Sequence, residues 1–172
     1  MVKRSDKRGN SVYLSIGTNL GNRELNISNA QEELQKLTPH KLVVSPIYES
    51  APWGNESLNP FLNCVIHLYV DLNPLDLLFA TQEIEQQIGR TSKSGAVYQN
   101  RGIDIDILTY NHQTYDSNVL KIPHSLMVYR KFVLLPLVDL NPEMTLPHSE
   151  KSVVKLLSIC NDSLECKLWT SS

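Results

Sequence analysis

The sequence predicts an α+β fold in which an antiparallel sheet is flanked by helices. Segments with apolar residues at every second position, typical of strands, alternate with segments whose apolar residues recur at helical spacing. Glycine, proline and asparagine lie at the ends of several of these segments, where turns and helix caps are expected.

The N-terminal part of the chain contains a strand, a helix and a second strand. The first strand is predicted over residues 11–16, and Gly17-x-x-x-Gly21 is interpreted as a tight turn because it lacks the Gly-Lys-Ser/Thr of a phosphate-binding loop. A helix follows, since Ile27, Ala30 and Leu34 recur at helical spacing. Residues 41–49 are predicted to form the second strand, and residues 50–60 a loop.

The clearest strand is Phe61–Val70, whose even-numbered positions are all apolar. Its odd-numbered positions place Phe61 and Asn63 together on the opposite face. Asn73 and Pro74 then supply a cap and a first-turn proline for a helix that ends near Ile88. Residues 90–100 are rich in Ser, Gly and Lys and are predicted to form a mobile surface loop.

Residues 103–110 alternate as a strand, and two further helices are predicted over residues 132–140 and 153–160. The resulting order, β-α-β-β-α-β, is that of a ferredoxin-like core with extra C-terminal elements. We expect residues 11–172 to form a single domain. The preceding residues 1–10 are neither periodic nor apolar, which predicts a flexible tail.

Composition and chain length exclude some classes of function. The chain has 172 residues, is 41% hydrophobic and has a net charge of −2, so it can bury a core and is not suited to wrapping a nucleic acid. No segment has the signal-peptide pattern or the length of a membrane span, so the expected location is the cytoplasm without membrane attachment. Three cysteines without a CxxC pair indicate reduced thiols.

Two aspartates are the strongest candidate site. On a strand Asp104 and Asp106 point to one side, about 6.5–7 Å apart at their bases. Two divalent cations would relieve the repulsion between their carboxylates and would also bind a polyphosphate. The alternative is a solvated strand face. Arg101 immediately before the pair favours the metal site, because a cation there suits an anionic substrate.

Two other groups allow both a functional and an ordinary interpretation. Arg90, Lys93 and Arg101 surround the 90–100 segment and could form a lid over phosphates, or could be solvated surface charges. Phe61 and Asn63 could stack on a flat heterocycle and hydrogen-bond its edge, or could belong to a half-buried strand face.

The sequence resembles the 6-hydroxymethyl-7,8-dihydropterin pyrophosphokinase family. The resemblance covers about residues 11–150, in order and with matching spacing. The matching motifs are Tyr13-Leu-Ser-Ile-Gly-Thr-Asn-Leu-Gly21, Ser45-Pro-Ile-Tyr-Glu-Ser-Ala-Pro-Trp-Gly54, Phe61-Leu-Asn63, Gln82-Glu-Ile-Glu85, Gly89-Arg90, Arg101-Gly-Ile-Asp-Ile-Asp-Ile-Leu108, Ile122-Pro-His124 and Arg130-Lys-Phe132.

The resemblance implies transfer of the β,γ-diphosphate of ATP to the pterin hydroxymethyl group, with release of AMP, in folate biosynthesis. It implies two Mg²⁺ ions held by Asp104 and Asp106, with ATP as co-substrate. The implied catalytic residues are Arg90, Arg101, Asp104 and Asp106. The implied pterin-binding residues are Ser50, Trp53, Gly54, Phe61, Asn63 and Phe132. The implied ATP-binding residues are Gln82, Glu85, Arg90, Lys93, Tyr98, Arg101, Ile107, Lys121, His124 and Arg130.

This chain departs from the best-known family members in the segment after Gly89-Arg90. Ser92 and Val97 stand at arginine positions, Tyr98 stands near a tryptophan position, and the segment is one residue longer. The expected partners are small molecules only, and the expected state is a monomer, with an oligomer left open. The competing hypotheses are a metal-dependent phosphohydrolase using the same aspartates and a non-catalytic binding module.

Overall fold

The described part of the chain is organised around an antiparallel sheet of six strands. The computed structural model describes residues 9–52, 59–89 and 102–170. The strands of this sheet are β1 (Asn10–Thr18), β2 (Val43–Val44), β3 (Tyr48–Ser50), β4 (Phe61–Val70), β5 (Asp104–Tyr110) and β8 (Cys166–Leu168). Their order is β5-β1-β4-β3-β8, and β2 also pairs with β4. Strands β6 (Tyr115–Asp116) and β7 (Lys121–Ile122) form a separate two-stranded ribbon. The predicted ferredoxin-like core is confirmed.

Within the described residues, four α-helices pack on the sheet: α1 (Arg23–Gln35), α2 (Pro74–Gln87), α3 (Lys131–Leu140) and α4 (Val153–Ser158). A short 3-10 helix, Met127–Tyr129, precedes α3. The predicted cap of α2 is confirmed, because the Asn73 side chain accepts hydrogen bonds from the N–H groups of Leu75 and Asp76, both at 3.0 Å. Among the helices of the described residues, none has the length and apolar composition that crossing a membrane requires.

Apolar clusters cover both faces of the sheet. The even-numbered residues of β4 pack with Ile16 and other β1 residues against α1 and α2. Within this cluster, burial raises the pKa of the Cys64 thiol to about 12. On the other face Val65 packs against α3 and α4. Helix α3 therefore covers the face that also carries Phe61 and Asn63.

Several predicted boundaries were wrong. The strand expected over residues 41–49 is divided into β2 and β3, because Pro46 has no N–H for a ladder and the Ser45 hydroxyl accepts from Val65 N at 2.9 Å. Gly17 lies inside β1 rather than in a turn, and β1 starts at Asn10, within the expected tail. The last predicted helix ends at Ser158. Strands β6, β7 and β8 were not predicted, and the loop expected at residues 90–100 lies outside the described residues.

Candidate functional site

One row of residues crosses the sheet and joins the predicted sites. Gly17 of β1 pairs with Asn63 of β4 on one side and with Asp104 of β5 on the other. Directly opposite residues of antiparallel strands point to the same face. Asn63 and Asp104 therefore flank Gly17 on one face, which brings the predicted pterin-binding amide and a predicted metal ligand to the same end of the sheet.

The amide of Asn63 has a fixed position. Its side chain is 2% exposed, and Nδ2 donates to Ser50 Oγ at 2.9 Å. A Cβ added at Gly17 would lie 3.2 Å from Asn63 Oδ1 and 3.8 Å from Phe61 Cδ1. The absence of a side chain at Gly17 thus leaves space for both predicted pterin contacts. Gly17 was not predicted to belong to the site, because this effect depends on a cross-strand neighbour.

Asp104 and Asp106 lie on one face of β5, as predicted, since the intervening Ile105 is buried in the core. Asp106 Oδ2 is 4.0 Å from His124 Nε2, and the Asp106 side chain is 40% exposed. Leu126 N donates to His124 Nδ1 at 3.3 Å. In the neutral imidazole this assigns the ring proton to Nε2, which faces the aspartate.

Glu85 lies immediately behind the aspartate pair. The residue is 2% exposed, and its Oε1 accepts from Ile105 N at 2.7 Å. This bond holds the backbone between Asp104 and Asp106. Glu85 was predicted from the family resemblance to bind ATP. A role in fixing β5 was not predicted, because no local pattern relates a helix residue to a strand twenty positions later.

Two described glycines lie beside the aspartate pair. A Cβ added at Gly102 would be 3.0 Å from the carbonyl oxygen of Gly89. The Gly102 carbonyl also accepts from Thr18 Oγ1 at 2.5 Å and from Asn26 Nδ2 at 2.9 Å. These contacts hold Gly89, at the end of α2, and Gly102, just before β5, close together. Thr18 and Asn26 thus hold the Gly102 carbonyl in position, and neither residue was predicted to do so.

The remaining predicted residues are distributed as follows. Arg130 Cζ lies 5.6 Å from the centroid of the Phe132 ring at the start of α3. Lys121 Nζ is 3.4 Å from Asp116 Oδ1 on the exposed ribbon. Gln82 is exposed on α2, whereas the Ile107 side chain is buried in the core. Trp53, Gly54, Arg90, Lys93, Tyr98 and Arg101 lie outside the described residues.

The donor set fits Mg²⁺ bound together with phosphates. Within residues 9–52, 59–89 and 102–170, no group of three or more His, Cys, Asp or Glu side chains could hold a metal ion by itself. Mg²⁺ commonly binds through one or two carboxylates and completes its coordination with water and substrate phosphates. Two partly exposed aspartates on one strand face match that pattern.

Comparisons with known proteins agree with this geometry. Residues 13–142 match the sequence profile of 7,8-dihydro-6-hydroxymethylpterin-pyrophosphokinase. The 2-amino-4-hydroxy-6-hydroxymethyldihydropteridine pyrophosphokinase of Porphyromonas gingivalis is 48% identical over 133 residues, covering 76% of this chain and 90% of that protein. The protein of the same name from Pseudomonas aeruginosa is 39% identical over 150 residues, covering 87% of this chain and 91% of that one.

A solved structure shows the same fold. The HPPK-DHPS protein of Plasmodium falciparum superposes with a TM-score of 0.69 at 17% sequence identity. The superposition covers 90% of this chain but 46% of that one, so this chain spans less than half of that longer protein.

Proposed function

The chain belongs to the 7,8-dihydro-6-hydroxymethylpterin-pyrophosphokinase family, and from this premise we propose how its site works. The enzyme transfers the β,γ-diphosphate of ATP to the hydroxymethyl group of 6-hydroxymethyl-7,8-dihydropterin and releases AMP, a step of folate synthesis. The observation that supports the proposed site is the row Asp104–Gly17–Asn63, because it brings the Asp104 carboxylate and the Asn63 amide to one face at the same end of the sheet.

The pterin lies between aromatic rings at the end of β4 and the start of α3. Phe61 and Phe132 stack on its two faces, and Asn63 with backbone groups around Ser50 binds its polar edge. Support comes from the Asn63–Ser50 hydrogen bond of 2.9 Å, which holds the amide before the ligand arrives. A ring-binding amide that is already oriented loses little side-chain entropy on binding. Trp53 and Gly54 belong to the same proposed set.

The phosphates of ATP lie over β5. Asp104 and Asp106 would hold two Mg²⁺ ions, which, when bound, neutralise phosphate charge and lower the pKa of the attacking hydroxyl. His124 Nε2 lies 4.0 Å from Asp106 Oδ2, which places the imidazole ring at the border of the proposed metal and phosphate site. The proposed ATP-binding set is Gln82, Glu85, Arg90, Lys93, Tyr98, Arg101, Ile107, Lys121, His124 and Arg130.

The reaction is an in-line displacement at the β-phosphorus. The pterin hydroxyl oxygen forms a bond to this phosphorus, the bond to the oxygen bridging the α- and β-phosphates breaks, and AMP leaves with that oxygen. Asp104 is the proposed acceptor of the hydroxyl proton. Arg90 and Arg101 are proposed to stabilise the charge that develops on the phosphates. Such a reaction depends mainly on positioning and charge stabilisation, so no covalent nucleophile is required.

Both proposed substrates are small molecules, so no nucleic acid or membrane partner is invoked. We also propose a cytoplasmic location and a monomeric state, with an oligomer left open. Residues 11–172 are proposed to be one pyrophosphokinase domain.

Product analysis tests the proposed function. Purified protein with ATP, the hydroxymethyl dihydropterin and Mg²⁺ should yield AMP and the pterin diphosphate ester in equal amounts, with neither formed when pterin is omitted. The Asp106→Asn variant is the matched control and should lose both products. Production of ADP, or of inorganic phosphate without pterin, would contradict the proposal and favour a phosphohydrolase.

A further inference from the structure

We propose that the C-terminal segment, residues 161–169, is a positioning element that holds both walls of the pterin site. The inference rests on the proposed function, because it concerns the pterin site defined there. The family match ends at residue 142, so this segment lies beyond the matched residues. Its contacts nevertheless reach the strand beside Asn63 and the helix that carries Phe132.

The first wall is β3. Strand β8 pairs with β3 so that Cys166 lies opposite Ser50, whose hydroxyl accepts the Asn63 amide hydrogen bond. The pairing is extended at both ends: Ala51 N donates to Glu165 O at 3.0 Å, and Trp169 N donates to Ile47 O at 2.8 Å. These bonds continue along the whole of β3 and past Ser50. The position of the Asn63 partner is therefore fixed from the C-terminal side.

The second wall is the first turn of α3. Lys131 N, the first helical N–H, donates to Asp162 Oδ2 at 2.9 Å, while Asp162 Oδ1 accepts from Leu164 N at 3.1 Å. The preceding residue, Arg130, has no side-chain acceptor that could cap this turn. A carboxylate from elsewhere in the chain supplies the cap and is also favoured by the helix dipole. Phe132 follows directly, so Asp162 fixes the backbone from which this ring projects.

A polar network anchors the end of the C-terminal segment. Trp169 Nε1 donates to Glu24 Oε1 at 2.9 Å, and the Arg23 guanidinium carbon lies 5.1 Å from the Trp169 ring centroid. Arg23 Nη1 in turn donates to Glu49 Oε1 and to Pro60 O, both at 2.9 Å. Pro60 precedes Phe61, and Glu49 lies in β3. The same network therefore ties the segment to the chain that enters β4.

These contacts predict a selective effect on pterin binding. One short segment joins the Ser50 end of β3 to the Lys131 end of α3. Its strand, β8, lies at the opposite edge of the sheet from β5, which carries Asp104 and Asp106. Loosening the segment should change the spacing between the proposed pterin-binding walls and leave the two aspartates in place. Small displacements of positioning groups are costly to binding and turnover.

The decisive comparison uses Asp162→Ala with a matched control. Asn73→Ala removes a cap of the same kind from α2, beyond the Val70 end of β4, whereas Phe61 and Asn63 lie at the other end of that strand. Both variants should lower the melting temperature by a similar amount. Only Asp162→Ala should raise the KM and Kd for pterin, by about tenfold. The KM for ATP should rise by a clearly smaller factor, because Arg130 of the proposed ATP-binding set precedes Lys131. Asp162→Ser, which retains an acceptor oxygen, should recover most of the pterin affinity.

Three results would overturn the inference. They are an unchanged pterin Kd in Asp162→Ala, equal losses for pterin and ATP, and an equal pterin loss in Asn73→Ala. If Asp162→Ala does not fold, Trp169→Ala loosens the same segment at its other end by removing the hydrogen bond to Glu24. An unaltered pterin Kd in that variant would equally refute the inference. The proposed function is tested separately, because its failure would be a wild-type protein that forms no AMP.

Discussion

Substitution of Gly17 by alanine tests the geometry of the proposed site at one atom. Gly17 is not among the positive-φ residues, so alanine can adopt its backbone conformation. The added Cβ would stand 3.2 Å from Asn63 Oδ1, closer than ordinary van der Waals contact, so the amide must move by a few tenths of an ångström. Asn63 is buried and held by Ser50, which means that the movement strains their 2.9 Å hydrogen bond.

The magnitude follows from that hydrogen bond and the local packing. Weakening one buried hydrogen bond costs about 0.5–1.5 kcal/mol, and slight overpacking brings the loss to about 1–2 kcal/mol. If the free energy of pterin binding is reduced by this amount, the Kd for pterin rises by about 5- to 30-fold. The melting temperature should change little, because alanine costs less conformational entropy than glycine in a strand and offsets part of the strain.

Fluorescence titration with the pterin and with a non-hydrolysable ATP analogue measures the two affinities separately. Combining Gly17→Ala with Asn63→Ala forms a double-mutant cycle. Removal of the Asn63 amide leaves room for the new Cβ, so Gly17→Ala should have almost no further effect in that background. Equal losses for both ligands, or additive effects in the cycle, would refute the reasoning.

The remaining predictions concern the aspartate pair, its support and one tyrosine. Asp106→Ala should lower turnover by about 1,000-fold. Its melting temperature should be almost unchanged, because the Asp106 side chain is partly exposed. Near-normal turnover in a steady-state assay would remove Asp106 from the proposed site. Glu85→Ala should reduce the free energy of unfolding in urea by about 1–3 kcal/mol, since it leaves the Ile105 N–H without this acceptor; a loss below about 0.5 kcal/mol would count against the role of that bond. Burial, followed by the hydrogen bond to Asp139, raises the pKa of Tyr48 from 10.0 to about 12. Because the pKa is higher in the folded state, the contribution of Tyr48 to stability is complete below pH 10 and is lost as pH rises to 12. Between these pH values the free energy of unfolding of Tyr48→Phe, measured by urea denaturation, should therefore fall less steeply than that of the wild type. The same dependence of unfolding free energy on pH in both proteins would contradict this prediction.

Local sequence patterns predicted the parts of the fold that depend on near neighbours. The alternation in β4 and β5 placed Asn63 and the aspartates on the correct sides, because side-chain direction in a strand follows from a period of two. The cap at Asn73 followed from its amide and the proline after it. The division of residues 41–49 was missed although Pro46 was visible in the sequence.

Contacts between residues that are far apart in the sequence could not be predicted from local patterns. Strand β8 has three residues, too few to show a period, and it pairs with β3 more than a hundred positions earlier in the chain. The same reason applies to the cap that Asp162 provides for α3 and to the bond between Glu85 and Ile105. In each case the partner is set by how the elements pack, which no short window of sequence contains. The family resemblance supplied the proposed ligand contacts but not these supporting contacts.

The most direct test of the proposed site is a crystal structure of the protein with hydroxymethyl pterin, Mg²⁺ and a non-hydrolysable ATP analogue. We predict the pterin between Phe61 and Phe132, with its polar edge on Asn63 and its hydroxymethyl group directed toward the β-phosphate. Two Mg²⁺ ions should lie between the phosphates and the carboxylates of Asp104 and Asp106. Pterin bound away from Asn63, or metal ions bound without either aspartate, would contradict the proposed arrangement.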